Sequence, residues 1–311
     1  MSRREPVVLG TRGSKLALAQ ANACAERLRE TGLEVEVRVI KTTSEHHPNL
    51  PLSVIDQRDV FTRQLDEALL LGEIELAVHS AKDVPTEVRE GLVLAAITER
   101  HDPSDVLVSE AGWTVAELPR EALVATSSLR RRAQLLHYRP DLRIVEIRGN
   151  VDTRIRKMRE GAADALVLAR AGLERLGLDS QVQHAVISPE VMLPAVSQGA
   201  LAIATLEDHT LRETIREALN HEPSARIVRA ERAMLNALEG GCRVPVGALG
   251  RIGDGTEVWL RGVVASTDGA LLYRGEAVGG EPEEVGARLA LDLLAQGAAV
   301  VLGEIREVRN R

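Results

Sequence analysis

Two kinds of position in this chain carry side chains whose type and setting point to chemistry. The first is Cys242, in the run Glu239-Gly240-Gly241-Cys242-Arg243-Val244-Pro245. Two glycines free the backbone to adopt conformations that other residues avoid, which presents a thiol on an exposed loop. Arg243 beside it favours the thiolate, the nucleophilic form. A lone cysteine is more often a small buried hydrophobe, and that reading suits Cys24 inside an alanine-rich helix.

The second kind is a junction that recurs along the chain, in which hydroxyl and arginine residues follow an apolar strand and precede a helix. Arg12 and Ser14 form the first, and Ser80-Ala81-Lys82-Asp83 the next. Thr126-Ser127-Ser128-Leu129-Arg130-Arg131, Arg148-Gly149-Asn150-Val151-Asp152-Thr153-Arg154 and Arg170 to Arg175 complete the set. Hydroxyls at a helix start cap backbone donors, and the free N–H groups there attract anions. Guanidinium adds planar donors that match a carboxylate in pairs. At any one junction, a cap and a surface arginine are explanation enough. Repetition at successive strand ends points to a site for a polyanion. Asp83 is the odd member: a carboxylate among cations suits a ligand on which positive charge develops, or else a local pair with Lys82 or a turn cap.

The elements that must position these residues follow from hydrophobic patterning. Over the first 220 or so residues, apolar runs alternate with amphipathic stretches, as in a parallel sheet flanked by helices. Strands are expected at Val7 to Leu9, Glu34 to Ile40, Glu75 to Val78 and Gly91 to Ile97, with helices at Lys15 to Glu30 and Asp59 to Leu71. A second, similar unit starts near His101. Its strands are expected at Leu123 to Ala125, Arg143 to Ile147 and Ala165 to Ala169, each followed by a helix. Pro194 to Leu206 reads as a connecting strand region, followed by helical Leu211 to Leu219. Ser224 to Leu238 reads as a long amphipathic helix stopped by Glu239-Gly240-Gly241. Strands at Val258 to Ala265 and Leu271 to Ala277 flank the hairpin signal Asp268-Gly269. A helix at Pro282 to Leu294 and a strand at Ala299 to Leu302 complete a small α+β region.

Composition narrows the classes. A chain of 311 residues is too long for one compact core. A net charge of −7 and 2% aromatics disfavour nucleic-acid binding. The 39 basic residues include only four lysines, Lys15, Lys41, Lys82 and Lys157, so 35 are arginines. Two cysteines build no disulfide framework, the N-terminus does not resemble a signal peptide, and the cytoplasm is the expected location. Asp164 and Arg170 interrupt the segment Ala162 to Leu173, taken as the best membrane-span candidate, so no span is expected. The eight histidines show no metal-ligand spacing, so no metal is expected, and no glycine-rich phosphate loop of the usual kinds occurs.

Taken together, these segments resemble the porphobilinogen deaminase (hydroxymethylbilane synthase) family. The matching runs are Thr11-Arg12-Gly13-Ser14-Lys15-Leu16-Ala17, Ala77 to Pro85, Thr126 to Arg131, and Arg148-Gly149-Asn150-Val151 with Thr153-Arg154. Ala171-Gly172-Leu173 with Arg175, Gln198-Gly199-Ala200 and Glu239-Gly240-Gly241-Cys242 follow in family order. The resemblance implies two α/β domains like those of type II periplasmic binding proteins, with a cleft between them, plus a small C-terminal α+β domain. The corresponding bounds are 1–98 with 199–219, 99–198, and 220–311. It implies a dipyrromethane cofactor bound to Cys242 through a thioether. Four porphobilinogen molecules are then joined head to tail, each losing ammonia, by a monomer with no nucleic-acid or membrane partner. Asp83 would stabilise positive charge on pyrrole nitrogens. Arg12, Ser14, Ser80, Lys82, Thr126, Ser128, Arg130, Arg131, Arg148, Arg154, Arg175 and Gln198 would hold the acetate and propionate groups of cofactor and substrate.

One stretch departs from the family pattern. Where the family usually has Thr-x-Gly-Asp and then Gly-Gly-Lys-Gly-Leu-Phe, this chain has Thr42-Thr43-Ser44-Glu45 and Asp56-Gln57-Arg58-Asp59-Val60-Phe61. The resemblance places this segment over the mouth of the active site, and its altered composition predicts altered elongation with cofactor attachment kept. An attachment-only relative or a carboxylate-binding protein without chemistry are the competing expectations.

Overall fold

A computed structural model describes residues 6–41, 62–238, 244–253 and 255–310. The segment 42–61 with its altered glycines, and Cys242, lie outside the described residues. The chain forms two compact units, Met1–Arg100 with Ala200–Ala225, and His101–Gly199 with Arg226–Arg311.

The first unit is built on β1 (Val7–Thr11), β2 (Val35–Val39), β3 (Leu76–Ser80), β4 (Leu92–Ile97) and β10 (Leu201–Leu206). Their order is β2-β1-β3-β10-β4. β1 pairs in parallel with β2 and β3, whereas β10 runs antiparallel to β3 and β4. This corrects the expectation of a parallel sheet: the sheet is mixed. β10 returns from a separate stretch of chain rather than through a strand–helix–strand crossover, so the rule that makes such connections parallel does not apply to it. Helix α1 (Lys15–Glu30) buries Ala21, Cys24, Ala25 and Leu28, a spacing that lines one helical face. Leu76 and Val78 join that core, while Ala77 between them packs with Leu65 and Leu69 of α2 (Arg63–Leu70). The two-residue alternation of a strand thus feeds helices on both faces of the sheet. Helix α6 (Arg212–Leu219) packs Ile215 and Leu219 with the α1 cluster.

The second unit holds β5 (Asp105–Val108), β6 (Leu123–Ala125), β7 (Arg143–Val145), β8 (Ala165–Ala169) and β9 (His184–Val186), in the order β7-β6-β8-β5-β9. Three parallel strands lead again to an antiparallel fourth, β5. The two sheets therefore share one topology, bearing out the expected pair of similar α/β layers. Helices α3 (Leu129–Tyr138), α4 (Val151–Lys157) and α5 (Arg170–Arg175) follow β6, β7 and β8.

The same unit carries an antiparallel meander of β11 (Val246–Ile252), β12 (Val258–Ala265) and β13 (Leu272–Gly279). It shares a buried core with α7 (Glu222–Ala237) and α8 (Pro282–Leu293), in which Met234, Leu260, Leu289 and Leu293 meet. At the β12–β13 turn Gly269 has φ 77°. A Cβ there would lie 2.6 Å from the carbonyl oxygen of Ala133 and 2.7 Å from the amide of His137. Only glycine lets the hairpin tip seat on α3 this closely.

Two expectations fail in this region. Ala299 to Leu302 is helical, the start of α9 (Ala299–Asn310). Ala298, Val301 and Leu302 are buried at helical spacing, and so short an apolar run does not separate strand from helix. Among the described residues the one helix long and apolar enough to cross a membrane is Pro282–Glu304, not Ala162 to Leu173: an 18-residue window within its 23 residues has mean hydropathy 1.6. Gly297 (φ 123°) kinks it, and Val285, Leu289, Leu293, Val301 and Leu302 are buried in the protein core. Strands β5, β9 and β11 escaped the sequence reading. The first two have four and three residues, and two glycines interrupt the third.

Candidate functional site

In each unit the expected residues gather where parallel strands end and helices begin. In the first unit β1 ends on buried Thr11, whose hydroxyl donates to the carbonyl of Ala17 (3.1 Å). Ser14 is the N-cap of α1, its Oγ accepting from the Ala17 amide (3.2 Å). The neighbouring strand β3 delivers Ser80, which is paired with buried Gln20 of α1 through Nε2–Oγ (3.0 Å). A single 3₁₀ turn, Ala81–Asp83, follows and carries Lys82 and Asp83. The Ala81 amide donates to the carbonyl of Ala200 (3.0 Å), which fixes that turn against the returning chain. A pocket of about 70 Å³ brings together Arg12, Ser14, Gln20, His79, Ser80 and Asp83. His79 is buried and its Nε2 has no hydrogen-bond partner among the described residues. Burial, and after it the Arg12 charge, lower its pKa from 6.5 to about 4, so the imidazole is neutral at physiological pH.

The second unit has three such junctions. Ser128 caps α3 by accepting from the Arg131 amide (3.4 Å), and Thr126 accepts from the Ser128 amide (3.2 Å). Ser127 stitches this junction to the next, donating to the Ile147 carbonyl (2.7 Å) and accepting from the Ile147 amide (3.2 Å). At that next junction Gly149 takes φ 116°, and a Cβ would stand 2.7 Å from Thr153 Cγ2. Arg148 is partly exposed, 3.8 Å from Glu146, and Arg154 donates from Nε to the Gly149 carbonyl (2.7 Å). Burial, followed by the Arg131 charge, lowers the pKa of Arg154.

Arg130 and Arg131 are buried, with 5% and 7% exposure, and both grip Asp105 of β5. Arg130 Nη1 donates to Asp105 Oδ2 (2.7 Å), and Arg131 Nε and Nη2 donate to Oδ1 (3.2 and 2.8 Å). Burial alone pushes the Asp105 carboxyl up. The two guanidinium charges, with hydrogen bonds from Arg130 and Gln198, outweigh it and hold the group well below the usual carboxylate range. Burial lowers the pKa of Arg130, opposed by the Asp105 charge. At the third junction Arg175 Nη2 donates to the Gly199 carbonyl (2.6 Å), beside Gln198. The described bonds use two N–H groups of Arg130 and three of Arg131, out of five each.

The expected residues thus fall into two groups. Arg12, Ser14, Ser80 and Asp83 share one pocket in the first unit, with Lys82 on the same turn. Thr126, Ser128, Arg130, Arg131, Arg148 and Arg154 lie on two stitched junctions in the second, with Arg175 and Gln198 at the Gly199 corner. Gln20 and Asp105 were missed, and His79 and Ser127, though inside runs the sequence reading singled out, were given no role. Asp105 had a legible signal, since a carboxylate opening the apolar run Asp-Val-Leu-Val must find cations once buried.

Two α/β sheets of one strand order, with arginines and capped helix starts at their strand ends, place the chain in the mixed α/β class. A periplasmic substrate-binding protein of Coxiella burnetii aligns with a TM-score of 0.43 at 17% identity, over 72% of this chain and 96% of its own. The chain belongs to the porphobilinogen deaminase family. Residues 7–214 match the family's dipyromethane cofactor binding domain and residues 225–295 its C-terminal domain. The porphobilinogen deaminase of Rubrobacter xylanophilus is 68% identical over 303 residues, covering 97% of this chain and 98% of the relative. That of Desulforudis audaxviator is 50% identical, covering 97% and 99%.

Proposed function

We propose that the chain is a hydroxymethylbilane synthase of tetrapyrrole biosynthesis, acting in the cytoplasm. It joins four porphobilinogen molecules head to tail. Each new carbon–carbon bond expels one ammonia, and water ends the chain as the hydroxymethyl group. The observation that carries this reading is the match of both family domains across nearly the whole chain, at 68% identity to a porphobilinogen deaminase. The family's three-domain bounds, 1–98 with 199–219, 99–198 and 220–311, belong to the same proposal.

The second unit's residues suit a dipyrromethane group held through Cys242. Its carboxylates need several cations, and burial, followed by the Arg131 charge, disfavours the charged form of Arg154. A bound carboxylate counters that. When attached, the dipyrromethane supplies the nucleophilic pyrrole end on which the product grows. Arg131, Arg148 and Arg154 bind and orient carboxylates, and Thr126 and Ser128 fix the helix start that presents them. In the first unit, Arg12 and Ser14 hold a substrate carboxylate. Asp83 in the same pocket faces positive charge that develops on pyrrole nitrogen as ammonia leaves.

Purified protein supplied with porphobilinogen is expected to yield linear tetrapyrrole, and its intact mass to include a dipyrrole adduct that is lost in Cys242→Ala. An unmodified wild-type chain prepared with porphobilinogen present sinks the proposal.

A further inference from the structure

Arg130, Arg131 and Gln198 were expected to reach for ligand carboxylates, yet all three converge on one buried residue of the protein. Asp105 is 1% exposed and receives Arg130 at Oδ2, with Arg131 and Gln198 Nε2 (2.9 Å) at Oδ1. Its carboxylate is filled by fixed donors and offers nothing to a ligand. Both guanidiniums are also tied to backbone: Arg130 Nη1 to the Leu193 carbonyl (2.7 Å) and Arg131 Nη1 to the Val167 carbonyl (2.9 Å).

The strap 193–198 extends this arrangement towards α7, the helix that precedes Cys242 in the chain. The Leu193 carbonyl also accepts from Gln134 Nε2 (3.1 Å), and the Leu193 amide donates to Gln134 Oε1 (2.8 Å). The Pro194 carbonyl accepts from the Ala248 amide (3.0 Å). Ser197 has φ 63°, an uncommon conformation for a residue with a Cβ. Its amide is held by Glu231 Oε2 (2.6 Å), while Glu231 Oε1 accepts from the Gly250 amide (2.8 Å). Glu231 is fully buried on α7, the helix that ends at Ala237, five residues before Cys242. The bonds run without a break from α7 through Ser197, Gln198 and Asp105 to the two arginines.

We propose that Asp105 is a positioning residue for Arg130 and Arg131, and that Gln198 belongs to this buried frame rather than to the ligand shell. The proposal rests on the enzyme reading above and deepens it: the frame sets where the arginines stand when the dipyrrole is attached. The remaining guanidinium donors, three on Arg130 and two on Arg131, are aimed by the bonds that Asp105 makes to the others.

The test uses full-length apoprotein expressed without porphobilinogen. Dipyrrole attachment is timed by intact mass after porphobilinogen is added, and melting temperature is measured alongside. Asp105→Asn keeps the shape and removes the charge. It is expected to slow attachment by roughly 10²-fold, the scale of an ångström of misplacement, at a temperature where the variant is fully folded. Asp105→Glu restores the charge and is expected to recover part of the rate. If Asp105→Asn does not fold, Gln198→Leu carries the test: it removes one donor and keeps the buried charges, and attachment is expected to slow several-fold. Attachment at the wild-type rate in folded Asp105→Asn, or in Gln198→Leu, overturns the proposal. So does a Glu variant as stable as wild type yet no faster than Asn. A wild-type chain that forms no tetrapyrrole sinks the enzyme reading instead.

Discussion

The two α/β units share a strand order but dress their strand ends differently. In the first, one guanidinium, two hydroxyls, a neutral imidazole and the Asp83 carboxylate share a small pocket. In the second, Arg130 and Arg131 are anchored on a single buried carboxylate, with Arg148 and Arg154 on the stitched junction next to them. A site whose cations outnumber its anions suits a ligand that stays and brings its own negative charge. A site in which a carboxylate shares the pocket with a cation suits a species whose charge changes during reaction. On the proposed function, one topology serves retention in one unit and turnover in the other, through the side chains at equivalent junctions.

The sharpest way to break that contrast is at Asp83. Asp83→Ala is expected to lower kcat by about 10² to 10³-fold, the scale of losing one preorganised electrostatic contact, while intact mass still shows the dipyrrole adduct. Loss of the adduct together with activity would show that the first unit also governs retention, and the division would fail. Arg131→Ala is expected to do the converse. It leaves Asp105 with one cation fewer, costing about 3 to 5 kcal/mol in stability by denaturant melts, and it weakens adduct formation.

His79 gives a smaller, pH-dependent effect. Its pKa is about 4 in the folded protein and 6.5 when unfolded, so the unfolded chain binds the extra proton between those values. Stability is therefore complete above pH 6.5 and falls as pH drops towards 4, by roughly 3 kcal/mol from this group. His79→Gln is expected to flatten that part of the melting-temperature profile. An unchanged slope would mean that the neutral histidine is not what distinguishes the first pocket. Smallest of all, Ser14→Ala is expected to cost about 1 kcal/mol from the lost cap of α1, read by thermal melting.

Much of this arrangement was legible in residue order. Alternating patterns placed both α/β units, and the cap-and-arginine junctions fell at strand ends, because local propensity and periodicity are carried by neighbouring residues. The buried frame was not legible, since its bonds join Asp105 to Gln198 and Ser197 to Glu231, residues far apart in the chain. Reading Arg130 and Arg131 as ligand contacts alone overlooked the carboxylate between them. A short strand such as Asp105–Val108 gives too few residues for periodicity to register. The helix Ala299–Asn310 was misjudged for a related reason: its apolar start fits either period, and burial against Leu289 and Leu293 decides it.

The position of β10 has a consequence for synthesis. Its residues, Leu201–Leu206, fill the gap between β3 and β4, so the N-terminal sheet stays open along both of those edges until they leave the ribosome. The strands of the other sheet, Asp105 through Val186, are all made in the meantime. At bacterial or eukaryotic elongation speeds the wait lasts roughly 5–20 s. All strands of the second sheet are thus synthesised before the first sheet's last strand, and until that strand is made the first sheet has an unpaired edge of the kind that invites aggregation.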